Sequence, residues 1–73
     1  MSISYESAKT AKVSVKRIKE ALSRGKAVYT TSLNSGEYVR ITQVKRISEY
    51  CYRGLELNSG LWSDINPNNA DIK

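Results

Sequence analysis

Histidine is absent from this 73-residue chain, and that absence removes much of the common chemistry of proteins. Neither a Ser-His or Cys-His nucleophile pair nor a His-ligated zinc site nor an imidazole pH switch can be assembled. Cysteine occurs once, so no intramolecular disulfide can form. Cys51, between Tyr50 and Tyr52 and with no His to activate it, reads as a small apolar side chain suited to a reducing compartment. Phenylalanine is missing too, which leaves five tyrosines and Trp62 as the only aromatic bulk. No apolar run approaches the roughly 20 residues that span a bilayer, and Met1-Ser2-Ile3-Ser4-Tyr5-Glu6 lacks a charged start followed by an apolar stretch. A cytoplasmic protein with no membrane partner is expected. Phosphate-loop glycines, zinc spacing and an EF-hand loop are all missing, and the acidic residues are scattered. The chain therefore reads as a non-enzyme with no metal and no cofactor.

The length supports a single domain over residues 1–73, because a chain of this size buries only about 60% of its unfolded surface. Ordering it costs on the order of 100 kcal/mol, against roughly 1.5–3 kcal/mol returned by each buried Val, Leu, Ile or Met. The margin is thin, and a homodimer through a sheet edge or the apolar helix face is expected to widen it.

The net charge is +5, and it is unevenly placed. Residues 1–26 hold seven basic groups against Glu6 and Glu20, residues 27–53 hold four against Glu37 and Glu49, and residues 54–73 hold Lys73 against Glu56, Asp64 and Asp71. This polarity suits an anionic partner for the N-terminal half.

The same N-terminal region has a helical period. Ala8, Ala11, Val15, Ile18 and Leu22 recur at steps of three and four with Ala21 beside them, so one face is apolar. Gly25 is the stop signal. The start is either Ser4, giving a helix of about twenty residues, or Ser14, with Val13 and Ile18 as a hydrophobic staple.

Beyond Gly25 the pattern becomes β-like in Ala27 to Thr31, Tyr38 to Arg46 and Tyr50 to Leu57, with a fourth short strand through Leu61 to Ile65. Short connections favour antiparallel pairing. The fold class is α+β: an N-terminal amphipathic helix packed on a small antiparallel sheet of three to four strands, with partial closure into an SH3-like barrel as a variant. Ile41 and Val44, an odd number of residues apart, cannot share a face of a regular strand, so a bulge near Gln43 is implied. Asn66-Pro67-Asn68-Asn69 has turn composition, and residues 66–73 read as a loose tail. Leu33-Asn34-Ser35-Gly36 recurs as Leu57-Asn58-Ser59-Gly60. This is matching turn chemistry, and it places Tyr38 and Trp62 equivalently just after their turns.

Two constellations suggest function. Lys9, Lys12, Lys16 and Lys19 repeat the apolar spacing one position later, and with Arg17 they form a basic face suited to phosphates. On the sheet, if Val39, Ile41, Leu55 and Leu57 face the helix, Tyr38, Arg40, Tyr50 and Tyr52 share the opposite face, where rings could stack on bases. Arg46 and Arg53 flank the turn at Ser48-Glu49, close enough to add to a basic rim. Trp62 is expected in the core. The reading is a small basic, non-catalytic, nucleic-acid-binding or regulatory protein that uses Lys9, Lys12, Lys16, Arg17, Lys19, Arg40, Lys45 and Arg46. The alternative is a protein-interaction or inhibitor module, of phage or mobile-element type, whose basic face docks an acidic protein.

Overall fold

The computed structural model describes residues 5–73, with side chains from Lys9 onward. The apolar stripe produces α1, Tyr5–Ser23, which is the longer of the two helices the sequence offered; Ser4 lies outside the described residues. Ser14 falls inside the helix, and Val13 is 64% exposed, so the staple does not form. Ala11, Val15, Ile18 and Ala21 are buried. Gly25 ends the helix with φ +76°. The Lys26 N–H donates to the Ala21 carbonyl (3.0 Å) and the Gly25 N–H to the Leu22 carbonyl (3.1 Å), the paired bonds of a Schellman cap.

Five strands follow: β1 Val28–Thr31, β2 Tyr38–Ser48, β3 Cys51–Glu56, β4 Trp62–Ile65 and β5 Asp71–Ile72. They form one antiparallel sheet in the order β4-β3-β2-β1-β5. The sheet is open, not a closed barrel. A lone bridge between Ser32 and Ile65 brings the end of β1 beside β4 without closing the edge.

The fifth strand exceeds the three to four expected because residues 66–73 are not a loose tail. Asn66-Pro67-Asn68-Asn69 folds into a 3-10 turn, Pro67–Asn69, in which the Asn66 side chain accepts from the Asn68 N–H and Pro67 is buried. The Ser14 hydroxyl donates to Asn68 Oδ1 at 2.6 Å, which ties the turn to α1. Ile72 then pairs with Val28, and the Lys73 N–H donates to the Ala27 carbonyl (2.8 Å). Turn composition redirected the chain here; it did not release it.

The core lies between α1 and one face of the sheet, where Val28, Ile41, Val44, Tyr52 and Ile65 are buried. The register of β2 against β3 shifts between Ile41 and Gln43, where the odd spacing of Ile41 and Val44 required it. Strand β3 corrects the expected facing. Tyr52 and Gly54 are buried, whereas Leu55 is half-buried and Leu57 is 51% exposed. Gly54 explains the choice, because a Cβ there would lie 2.9 Å from Ile41 Cγ2 and 3.2 Å from Ile65 Cδ1. Two isoleucines close over the missing side chain.

The two matching turns share one geometry. Gly36 and Gly60 have φ +77° and +70°. Their N–H groups donate to the Ser32 and Glu56 carbonyls, and the Ser35 and Ser59 hydroxyls accept from the Glu37 and Leu61 N–H groups. The Leu33 N–H donates to the Asp64 carbonyl (2.8 Å) and the Leu57 N–H to the Arg40 carbonyl (2.9 Å). Among the described residues, only the first turn also holds a neighbouring strand through its asparagine side chain: Asn34 Oδ1 accepts from the Asp64 N–H at 2.7 Å. Both proposed dimer surfaces are thus largely taken within the chain. The helix stripe faces the core, the β4 edge is held at Asp64, and β5 offers an edge of only two residues.

Two stability predictions result. Gly54→Ala is expected to cost about 1–3 kcal/mol through overpacking against Ile41 and Ile65. Asn34→Ala is expected to cost about 1 kcal/mol while Asn58→Ala stays within about 0.5 kcal/mol. Urea unfolding of the three variants checks both.

Candidate functional site

The helix stripe determines where the lysines point. Because Ala11, Val15 and Ile18 are held in the core, the positions one step later, Lys12, Lys16 and Lys19, are exposed, as are Lys9 and Arg17. No ion pair involves Lys12, Lys16, Arg17 or Lys19 among the described residues; Glu20, the acid closest to them in sequence, pairs with Arg24 at 2.7 Å. Beyond Lys19 the surface dips into a shallow hollow of about 280 Å³ lined by Arg17, Lys26 and the Glu20–Arg24 pair. Lys26 carries the basic face past the end of α1.

Arg40 and Lys45 on the sheet do not join that face. Arg40 pairs with Tyr29, and Lys45 with Arg53, in registers that alternate with the core-facing pairs, so Arg40 and Lys45 project from the side of the sheet away from α1. Lys45 Nζ lies 4.1 Å from the centre of the Trp62 ring, a contact that stabilises by about 0.5–1 kcal/mol at an exposed site. Trp62 thus faces outward and not into the core, as the first residue of a strand at the sheet edge. Arg46 lies near the β2–β3 hairpin turn, where its Nε donates to the Ser48 carbonyl (3.2 Å). Arg53 pairs with Asp64 at 3.0 Å. The eight expected phosphate contacts are divided between two faces.

The tyrosine platform is also redistributed. Tyr52 is 1% exposed and cannot meet a base; its hydroxyl has no hydrogen-bond partner among the described residues, so it fills the core as Phe would in a chain that has none. Tyr50 is half-buried and packs against the same cluster. Tyr38 alone stays on the outer face, 52% exposed, stacked on Tyr29 with ring centres 5.5 Å apart and 9° between planes. The Tyr38 hydroxyl donates to Asp71 Oδ2 at 2.6 Å. Tyr29 was legible as an outward residue, since Val28 and Thr30 on either side point inward; Asp71 was not, because it required the fifth strand.

Tyr29, Tyr38, Arg40, Leu57 and Asn58 line a cleft of about 530 Å³, with Glu37 and Glu56 on its walls. The Glu56 carboxylate accepts from the Ser63 hydroxyl. No group of three or more His, Cys, Asp or Glu side chains among the described residues could hold a metal ion, and no described helix is long and apolar enough to cross a membrane. Comparison with known proteins finds no matching family model, no similar curated protein and no similar solved structure. The functional reading therefore rests on this chain's own residues.

The hydrogen bond to Asp71, followed by desolvation and the Asp71 charge, raises the Tyr38 phenol to a pKa of about 12. A raised phenol pKa favours the neutral form in the folded protein. The stabilisation is fully present below the ordinary phenol range near about 10 and is lost as pH climbs through about 12. Ultraviolet titration is expected to show the Tyr38 phenolate forming late, near about 12, and Asp71→Asn is expected to move that transition downward.

Proposed function

We propose that the protein is a non-catalytic nucleic-acid-binding or regulatory protein that holds the phosphate backbone through the basic face of α1. One observation carries the reading. Lys12, Lys16, Arg17 and Lys19 project together from a helix whose opposite face is locked into the core, and no acidic group pairs with them among the described residues. Side chains at such spacings on a helix lie about 5–6 Å apart, close enough to follow successive phosphates and displace their counterions. Lys26, at the hollow beyond Lys19, extends the track. The ordering of the helix is already complete before binding, so little conformational entropy is lost there.

Recognition through this face is sequence-independent, because lysines that reach phosphates carry no base information. Base stacking on the sheet has little support, since Tyr52 is buried, Tyr50 is half-buried and Tyr38 is stacked on Tyr29. Arg40 and Lys45 lie on the side of the sheet away from the helix row and belong to a secondary role at most. The preferred ligand is a backbone, duplex or single-stranded, and not an exposed base.

Affinity for unrelated oligonucleotides is expected to fall log-linearly with salt. The combined Lys12→Gln, Lys16→Gln and Lys19→Gln variant is expected to flatten that slope by about two to three units with unchanged circular dichroism. An unaltered slope in the folded variant would overturn the assignment. A partner still captured after nuclease treatment at moderate salt would give the basic face to an acidic protein instead.

A further inference from the structure

The cations of α1 fall on two lines, not one. At 3.6 residues per turn, Lys12, Lys16 and Lys19 lie within about 60° of one another around the helix, whereas the five residues from Lys12 to Arg17 turn about 140°. Arg17 and Arg24, seven residues apart, return to nearly the same side. Lys26 belongs with them, because the hollow past the end of the helix is lined by Arg17, Arg24 and Lys26 together. Between the two lines run Val13 and Glu20, opposite the buried Ala11, Val15 and Ile18. Every residue of both lines is exposed, as are the two between them.

A single phosphate backbone can follow only one of these lines. Two lines about 140° apart on a rod about 10–12 Å across suit a groove with a phosphate wall on each side, and the major groove of B-form DNA, about 12 Å wide, admits an α-helix. The major groove of an RNA duplex is deep and too narrow for side chains to read. Val13 adds an independent observation. It is 64% exposed in the middle of a cationic surface, and on the ridge between the lines it meets the groove floor, where the thymine methyl offers apolar contact. Glu20 has its charge matched by Arg24 at 2.7 Å, which leaves Arg17 and Lys26 as the cations that serve the second wall.

We propose that α1 enters the major groove of duplex DNA, with Lys12, Lys16 and Lys19 toward one phosphate wall, Arg17 and Lys26 toward the other, and Val13 over the base edges between them. This rests on the nucleic-acid reading of the same face and narrows its ligand from any phosphate backbone to B-form duplex. The cations on the walls carry no base information. Val13 adds a weak preference for thymine.

The test measures, by fluorescence anisotropy at one salt concentration, binding of the full chain to a short DNA duplex, the RNA duplex of matching sequence and the DNA single strand. The DNA duplex is expected to bind about tenfold or more tightly than either of the others. The RNA duplex is the decisive comparison, because it too presents phosphates on two strands and differs in the groove. Uracil in place of thymine removes only the methyl groups from the DNA duplex and is expected to weaken binding about two- to fourfold, a difference that Val13→Ala is expected to abolish. Arg17→Gln is expected to flatten the salt slope on the DNA duplex by about one unit. Both positions are exposed, so each variant keeps its fold, which circular dichroism checks. Comparable affinity for the DNA and RNA duplexes, or a DNA-duplex slope unaltered by Arg17→Gln, would overturn the groove assignment while the triple lysine variant still tests the backbone reading by itself. Absence of salt-dependent binding to all three ligands would overturn both.

Discussion

Strand β2 pairs with both β1 and β3, so its side chains must satisfy two neighbours and the helix at once. In a regular strand, Ile41 and Val44 would face opposite sides, and either the half of the sheet near β1 or the half near β3 would lose its core residue. The shift of register between Ile41 and Gln43 resolves this by giving β2 one residue more than its partner. Both side chains then reach the core, and α1 lies over both. The remaining contacts depend on this bulge: Val28 beside Ile41, Gly54 beside Val44, and Ile65 beside Tyr52.

The bulge also separates the protein's two chemistries. With Val28, Ile41, Val44 and Ile65 directed toward α1, the outer face of the sheet receives Tyr29, Tyr38, Arg40, Lys45, Leu55 and Trp62. Those residues satisfy one another through a ring stack, a cation over an indole and a phenol bonded to a carboxylate. Lys12, Lys16 and Lys19 of α1 make no ion pair among the described residues. The outer face of the sheet is thus largely satisfied within itself, and this stretch of the helix is not. A thin layer of helix on sheet is enough to keep the two from acting as one patch.

Much of the fold was legible because the signals are local. A three-four period with glycine at its end specifies an α-helix and its cap, since side-chain direction follows from helix geometry alone. The repeated Leu-Asn-Ser-Gly specifies the same turn twice, because glycine at positive φ and a serine hydroxyl on the following N–H involve only neighbours in the chain. The lysine row was legible for the same reason. By contrast, Leu55 and Leu57 alternate along β3 as regularly as Tyr52 and Gly54 do, and nothing within the strand distinguishes the two faces.

The sequence by itself determined the helix and its basic face, the places where the chain turns, and the need for a bulge, each from residues within a few positions of one another. The tertiary structure decided which side of β3 is the core, through two isoleucines from β2 and β4 that only a glycine could admit. It also decided that residues 66–73 become an edge strand, through Ser14 and Val28, more than forty residues away in sequence. The same long-range pairing brought Tyr29, Tyr38 and Asp71 together and left Asn58 at an open cleft while Asn34 gripped β4. Pairing partners distant along the chain set these outcomes, because a strand's two faces are equivalent until something packs against one of them.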